Sequence, residues 1–217
     1  RSTLFPYTTL FRSWLTGDYS RFVTDSTVDS VTQYELWKAI WSSIKDKNLF
    51  ELDWALRRHN EFLKIFTPNT FIGNHDVTRI ASTIGSEAAV TAAAILLSVG
   101  GIPSIYYGDE QGFTGVKEQR LGGDDDIRPA FPGQPSQLAE WGRHIFRAHQ
   151  DLIGLRRRNP WLVNATTTML SLENRRCAYR ASAANGTQHL DIEIDLSATP
   201  TATIKDQNGR TFWAQRH

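Results

Sequence analysis

The 217-residue chain has one cysteine, so no disulfide can form within it and nothing in it asks for an oxidising compartment. Cys177 lies in a strand-like run and reads as a buried, inert thiol, and a lone cysteine favours a cytoplasmic location. Charge of one sign is also lacking: 24 Lys and Arg face 23 Asp and Glu, leaving a net charge of +1. No global field therefore draws the chain to nucleic acid or to an anionic membrane. Long hydrophobic runs are absent, and no stretch approaches the roughly 20 apolar residues of a membrane span. Internal repeats and low-complexity tracts are missing as well.

What is present is ordinary globular composition, with 40% hydrophobic and 22% charged residues, and seven tryptophans. The chain does not begin with Met. Residues 3–13, TLFPYTTLFRS, match the translation of a common short-read sequencing adapter. Residues 1–13 are therefore excluded as a processing artefact, and natural sequence is expected from Trp14.

Apolar residues Trp37, Ile40, Trp41 and Ile44 fall at helical spacing after a strand-like SVTQY. A second helix is predicted over about 49–66, closed by Pro68. Thr70–Ile72 is a short strand that ends in the polar cluster Gly73–Asn74–His75–Asp76. Ser86 is a candidate N-cap for a helix apolar nearly all round, which should be buried on several sides. Ile102–Tyr106 is another strand, and it ends at Gly108–Asp109–Glu110. A helix is predicted from Ser136, with Leu138, Trp141, Ile145, Leu152 and Leu155 on one stripe. Beyond about 160 the texture turns β-rich, and Asn185–Gly186 and Asn208–Gly209 each predict a hairpin. Strand–helix alternation argues for a parallel sheet with helical crossovers, followed by a small antiparallel β domain.

Two polar clusters follow strands, and residue chemistry alone does not choose between His75–Asp76 and Asp109–Glu110. FIGNHD at 71–76 resembles the fourth conserved region of the α-amylase superfamily, and GIPSIYYGDEQG at 101–112 resembles its last barrel strand. Their order and spacing agree with that family over about residues 14–217. The resemblance implies an α/β fold: the C-terminal portion of a (β/α)8 barrel over 14–160, then an antiparallel, β-sandwich-like domain over 161–217. It implies a retaining glycosidase acting on α-1,4-glucosidic bonds of starch or maltooligosaccharides. Asp76 corresponds to the carboxylate that grips the sugar's 2- and 3-hydroxyls, and His75 would donate to the same region. Asp124 and Arg128 match a D-x-x-x-R pair that holds the bound glucosyl ring. Asp109, Glu110 and Tyr107 match mainly structural positions, and Arg79 suits a buried ion pair. The family's acid/base Glu would stand directly before Trp14, where Ser13 now is, and its nucleophile further upstream. The chain as written is therefore expected to be inactive. Transglycosylases share both motifs, and a non-catalytic homologue is the remaining alternative.

No cofactor and no metal are expected, because Asp124–Asp125–Asp126 lacks the spaced ligand pattern of a calcium loop. Arg156–Arg157–Arg158 reads as last-turn cations favoured by the helix dipole rather than a nucleic-acid patch. His59, His144 and His149 read as surface or rim residues.

Overall fold

The computed structural model describes residues 16–216, so the readings for residues 1–13, Trp14 and the position before it lie outside the described residues. Helices α1 (Thr16–Thr24), α2 (Tyr34–Asp46) and α3 (Phe50–Leu63) precede strand β1 (Asn69–Phe71). Helices α4 (Ile80–Ile84) and α5 (Ser86–Ser98) lead to β2 (Ile102–Ser104), and α6 (Arg143–Arg158) follows a long loop. Strands β3 (Thr166–Leu172), β4 (Arg176–Ser182), β5 (His189–Asp195), β6 (Thr201–Asp206) and β7 (Thr211–Ala214) complete the chain.

β1 and β2 are parallel, with Asn69 opposite Ile102 and Phe71 opposite Ser104. The SVTQY run contributes one parallel bridge, Thr32 to Asn69, rather than a longer ladder. The reason is local: Gln33 already caps α2, its side-chain oxygen accepting from the Glu35 and Leu36 N–H groups. The β1–α4–α5–β2 crossover is the α/β unit expected from the alternation.

Two helix starts differ from expectation. The residue capping α5 is Gly85, at φ 88°, not Ser86, which is the first helical residue. α6 begins at Arg143 rather than Ser136, because Leu138 and Ala139 adopt extended backbone (ψ 139° and 136°) between two short 3-10 turns. Trp141 consequently leaves the buried stripe and is 54% exposed. The apolar character of α5 is fully used: every residue from Ala88 to Ser98 is buried.

The last five strands form one antiparallel meander in the order β3-β4-β5-β6-β7. Both Asn-Gly pairs make hairpins, joining β4 to β5 and β6 to β7, with Gly186 at φ 69° and Gly209 at φ 76° where a side chain would be strained. Where a sandwich-like domain was expected over 161–217, the described residues of that stretch hold a single sheet, and the layer facing it is helical. Tyr179, Ile192 and Ile204 from the sheet share one core with Leu52 and Leu56 of α3 and Ala92, Ala93 and Leu96 of α5. Cys177 is buried there, its thiol pushed up to about 12 by burial, as an inert cysteine should be.

Of the three histidines read as surface or rim residues, one is at the surface and two are not. His144 is exposed and meets Glu87 at 2.9 Å, but His59 and His149 are buried. His59 donates from Nε2 to the Gly100 carbonyl at 3.0 Å, and its Nδ1 has no partner among the described residues. Burial, more than the nearby Arg156 charge, lowers its pKa to about 4 from 6.5. The unfolded chain therefore takes up a proton that the folded chain refuses between those two values. His59's contribution is fully present above pH 6.5 and declines as pH falls toward 4, by about 3 kcal/mol in all. Urea unfolding at pH 7 and pH 4.5 should give a clearly smaller pH difference for His59→Gln than for the unsubstituted chain. Equal differences would remove His59 as the source.

Candidate active site

Both polar clusters sit just past the C-terminal ends of the parallel strands, the end at which barrel enzymes place their chemistry. The loop after β1 is pinned by Asn74. Its Nδ2 donates to the Tyr34 hydroxyl at 3.0 Å, and its Oδ1 accepts the Asp76 N–H at 2.8 Å. An Asn side chain bonded two residues on is the turn this residue type favours. One position earlier only glycine fits, since a Cβ on Gly73 would stand 2.1 Å from Asp109 Oδ2.

The four residues singled out from the sequence meet here. His75 Nε2 lies 3.3 Å from Asp76 Oδ2, and Arg128 Nη2 lies 3.5 Å from Asp76 Oδ1. The same Arg128 nitrogen contacts Asp124 Oδ2 at 2.8 Å and the His75 carbonyl at 2.9 Å. Lys117 adds an ion pair to Asp124 at 3.1 Å, which with Arg128 holds that carboxyl below its usual range. Lys117 was missed, as nothing in its local sequence marks it. The Tyr34 contact was missed too, for it comes from 40 residues away. Asp76 keeps part of its surface open to solvent, and so do His75, Asp124 and Arg128.

The second cluster is a different object. Asp109 is 1% exposed and bonds Arg79 at 2.9 Å, while Arg79 also donates to the Ile127 and Tyr107 carbonyls. The guanidinium lies over the Tyr106 and Tyr107 rings, 4.1 and 4.8 Å from their centroids. Burial outweighs the Arg79 charge and raises the Asp109 carboxyl to about 6. A raised carboxyl would suit an acid catalyst, but this one is sealed beneath the loop where no substrate reaches it. Its place is beneath Gly73, supporting the loop that carries His75 and Asp76.

Chemically, the open cluster presents hydrogen-bond acceptors on two carboxylates, with cationic donors beside them. Such a set can grip vicinal hydroxyls. The two carboxylates share one guanidinium, Arg128 Nη2 lying 3.5 Å from Asp76 and 2.8 Å from Asp124. A cavity of about 730 Å³ lies elsewhere, between α6 and β7, and none of the four residues lines it. Among the described residues no group of three or more His, Cys, Asp or Glu is arranged to hold a metal, and no helix is long and apolar enough to cross a membrane.

The profile described as the α-amylase catalytic domain matches residues 16–166. The chain belongs to the α-amylase family. An α-amylase of Streptomyces lividans is 30% identical over 175 residues, covering 66% of this chain and 18% of that protein. A cyclomaltodextrin glucanotransferase of Paenibacillus macerans is 27% identical over 206 residues, covering 88% of this chain and 27% of the relative. Among solved structures, AmyP in complex with maltose aligns with a TM-score of 0.68 at 16% identity, covering 81% of this chain and 41% of AmyP. The α-amylase family chain described here thus spans well under half the length of the relatives it matches. The likeness to solved structures carries the fold: a TIM-barrel-like α/β arrangement with an antiparallel β sheet.

Proposed function

We propose that this chain is the sugar-gripping, C-terminal part of a retaining glycoside hydrolase that cleaves α-1,4-glucosidic bonds in maltooligosaccharides. In this reading residues 14–160 belong to the barrel and 161–217 to its β domain. The observation that carries it is the meeting of His75, Asp76, Asp124 and Arg128 in one open cluster past the end of β1. Asp76 accepts from the 2- and 3-hydroxyls of the glucosyl ring, in bonds that strengthen as the ring flattens toward the oxocarbenium-like transition state. His75 donates to the same hydroxyls, and Arg128 with Asp124 fixes the ring's orientation. In this reading the nucleophile and the acid/base are not among these four, and the 217-residue polypeptide alone is expected to release no reducing sugar from maltoheptaose.

A transglycosylase reading has its own support in the glucanotransferase relatives. It differs only in whether water or a second sugar accepts the glucosyl group. Both readings place maltooligosaccharide at Asp76. Asp76→Asn, which preserves size and the Asn74 bond, should weaken maltoheptaose binding by about ten- to hundredfold in a ligand-observed NMR titration. Unchanged binding, or glucan hydrolysis by the chain itself, would overturn the proposal.

A further inference from the structure

Beside the four-residue cluster the loop runs Arg128–Pro129–Ala130–Phe131–Pro132. Phe131 is 46% exposed, yet its ring is held from below. It tilts 31° against Phe113 with centroids 5.6 Å apart, and meets Tyr107 edge-on at 6.3 Å. Both supports are themselves anchored. The Phe113 N–H donates to the Gly108 carbonyl at 2.9 Å, and the ring packs against Gly108 so closely that a Cβ there would stand 2.3 Å from it. The Tyr107 hydroxyl donates to the Pro129 carbonyl at 2.8 Å, fixing the backbone two residues before Phe131. Arg128, three residues before Phe131, reaches back to the His75 carbonyl and to Asp124.

An aromatic side chain left half in water but braced by two rings, one of which also holds the Pro129 carbonyl, has little freedom to lose when something covers it. Pyranose rings present C–H faces that pack on aromatic rings, and a polar grip beside such a face suits a carbohydrate. We propose that Phe131, seated on Tyr107 and Phe113, is a stacking platform for a second glucosyl ring of the chain whose neighbouring ring Asp76 grips. The platform is a positioning device: it touches no bond being broken and sets where along the oligosaccharide the grip falls. The proposal rests on the α-glucan reading above.

The test is a ligand-observed NMR titration of the full 217-residue chain with maltotriose, comparing Phe131→Ala, Phe131→Trp and Asp76→Asn. Phe131→Ala should weaken maltotriose by about tenfold, Phe131→Trp should bind at least as well as the unsubstituted chain, and both should still unfold in one cooperative transition. Equal losses in the Ala and Trp variants, or no loss with Phe131→Ala while Asp76→Asn still loses binding, would overturn the platform and leave the α-glucan reading standing. Failure of the unsubstituted chain to take maltotriose at all would overturn both.

Discussion

Arg79→Met is expected to destabilise the fold by about 3–5 kcal/mol, because it strips the partner from a carboxylate that is 1% exposed. The size follows from the asymmetry of buried ion pairs: a pair roughly balances its desolvation, but a lone buried charge does not. The loss should also depend on pH, with a definite sign. Asp109 has its folded pKa raised to about 6 from 3.8, so its favourable protonated contribution is complete below 3.8 and is gone once pH has risen through 6. Without Arg79 the carboxyl rises further, and the variant should be worse at pH 8 than at pH 5. Arg79→Met with Asp109→Leu removes both charges and should recover most of the stability. Urea unfolding of the single and double variants at both pH values checks this. A double variant no better than the single one would mean that Arg79's bonds to the Ile127 and Tyr107 carbonyls matter more than the ion pair.

The second large effect belongs to Arg156, and its role departs from the sequence reading. As the first of three arginines ending α6 it looked like a cation on its own helix's dipole. Instead its guanidinium turns inward and donates to the Leu97, Val99 and Gly101 carbonyls at 3.1, 2.8 and 2.6 Å. Leu97 and Val99 stand at the C-terminal end of α5 and Gly101 in the break toward β2, so the last turn of α6 caps the end of α5 and the turn beyond it. Burial lowers the Arg156 pKa to about 10, still charged at any physiological pH. Arg156→Met leaves three buried acceptors without a donor, each worth about 1–3 kcal/mol, and a total loss of about 3–5 kcal/mol is expected since such terms do not add fully. Lysine should rescue only a fraction, as a single ammonium cannot span the three carbonyls that a planar fork reaches. Arg157→Met, on an exposed neighbour, should change stability by less than about 0.5 kcal/mol. If thermal unfolding places Arg156→Met and Arg157→Met together, the capping role fails.

The local rules of the sequence were good guides where one residue type decides the geometry. Asn185–Gly186 and Asn208–Gly209 specified their hairpins, and the all-round apolar run 87–99 specified a buried helix. The FIGNHD and GIPSIYYGDEQG motifs carried the family and located both polar clusters. What stayed hidden depends on distance along the chain. Nothing near Lys117 says that it will pair with Asp124, and nothing near Tyr34 says that it will hold Asn74. His59 and Arg156 carry charge-bearing side chains on helices, so the periodicity rule sends them outward. They are inside because the turn at Gly100–Gly101 leaves carbonyls that need donors. The helical backing of the β sheet was likewise invisible, since an alternating strand reports that one face is buried but not what buries it.

That backing bears on motion. Helix α5 touches the β sheet on one side and α6 on another, and its buried residues are common to both parts of the chain. A hinge requires a stretch few contacts cross, and the passage from α6 into β3 offers none: Asn60 on α3 bonds both the Thr167 N–H and the Thr167 carbonyl. The sheet therefore rides with α3, α5 and α6 as one stiff body, and any rearrangement around Asp76 has to arise in the loops rather than between the two parts of the chain.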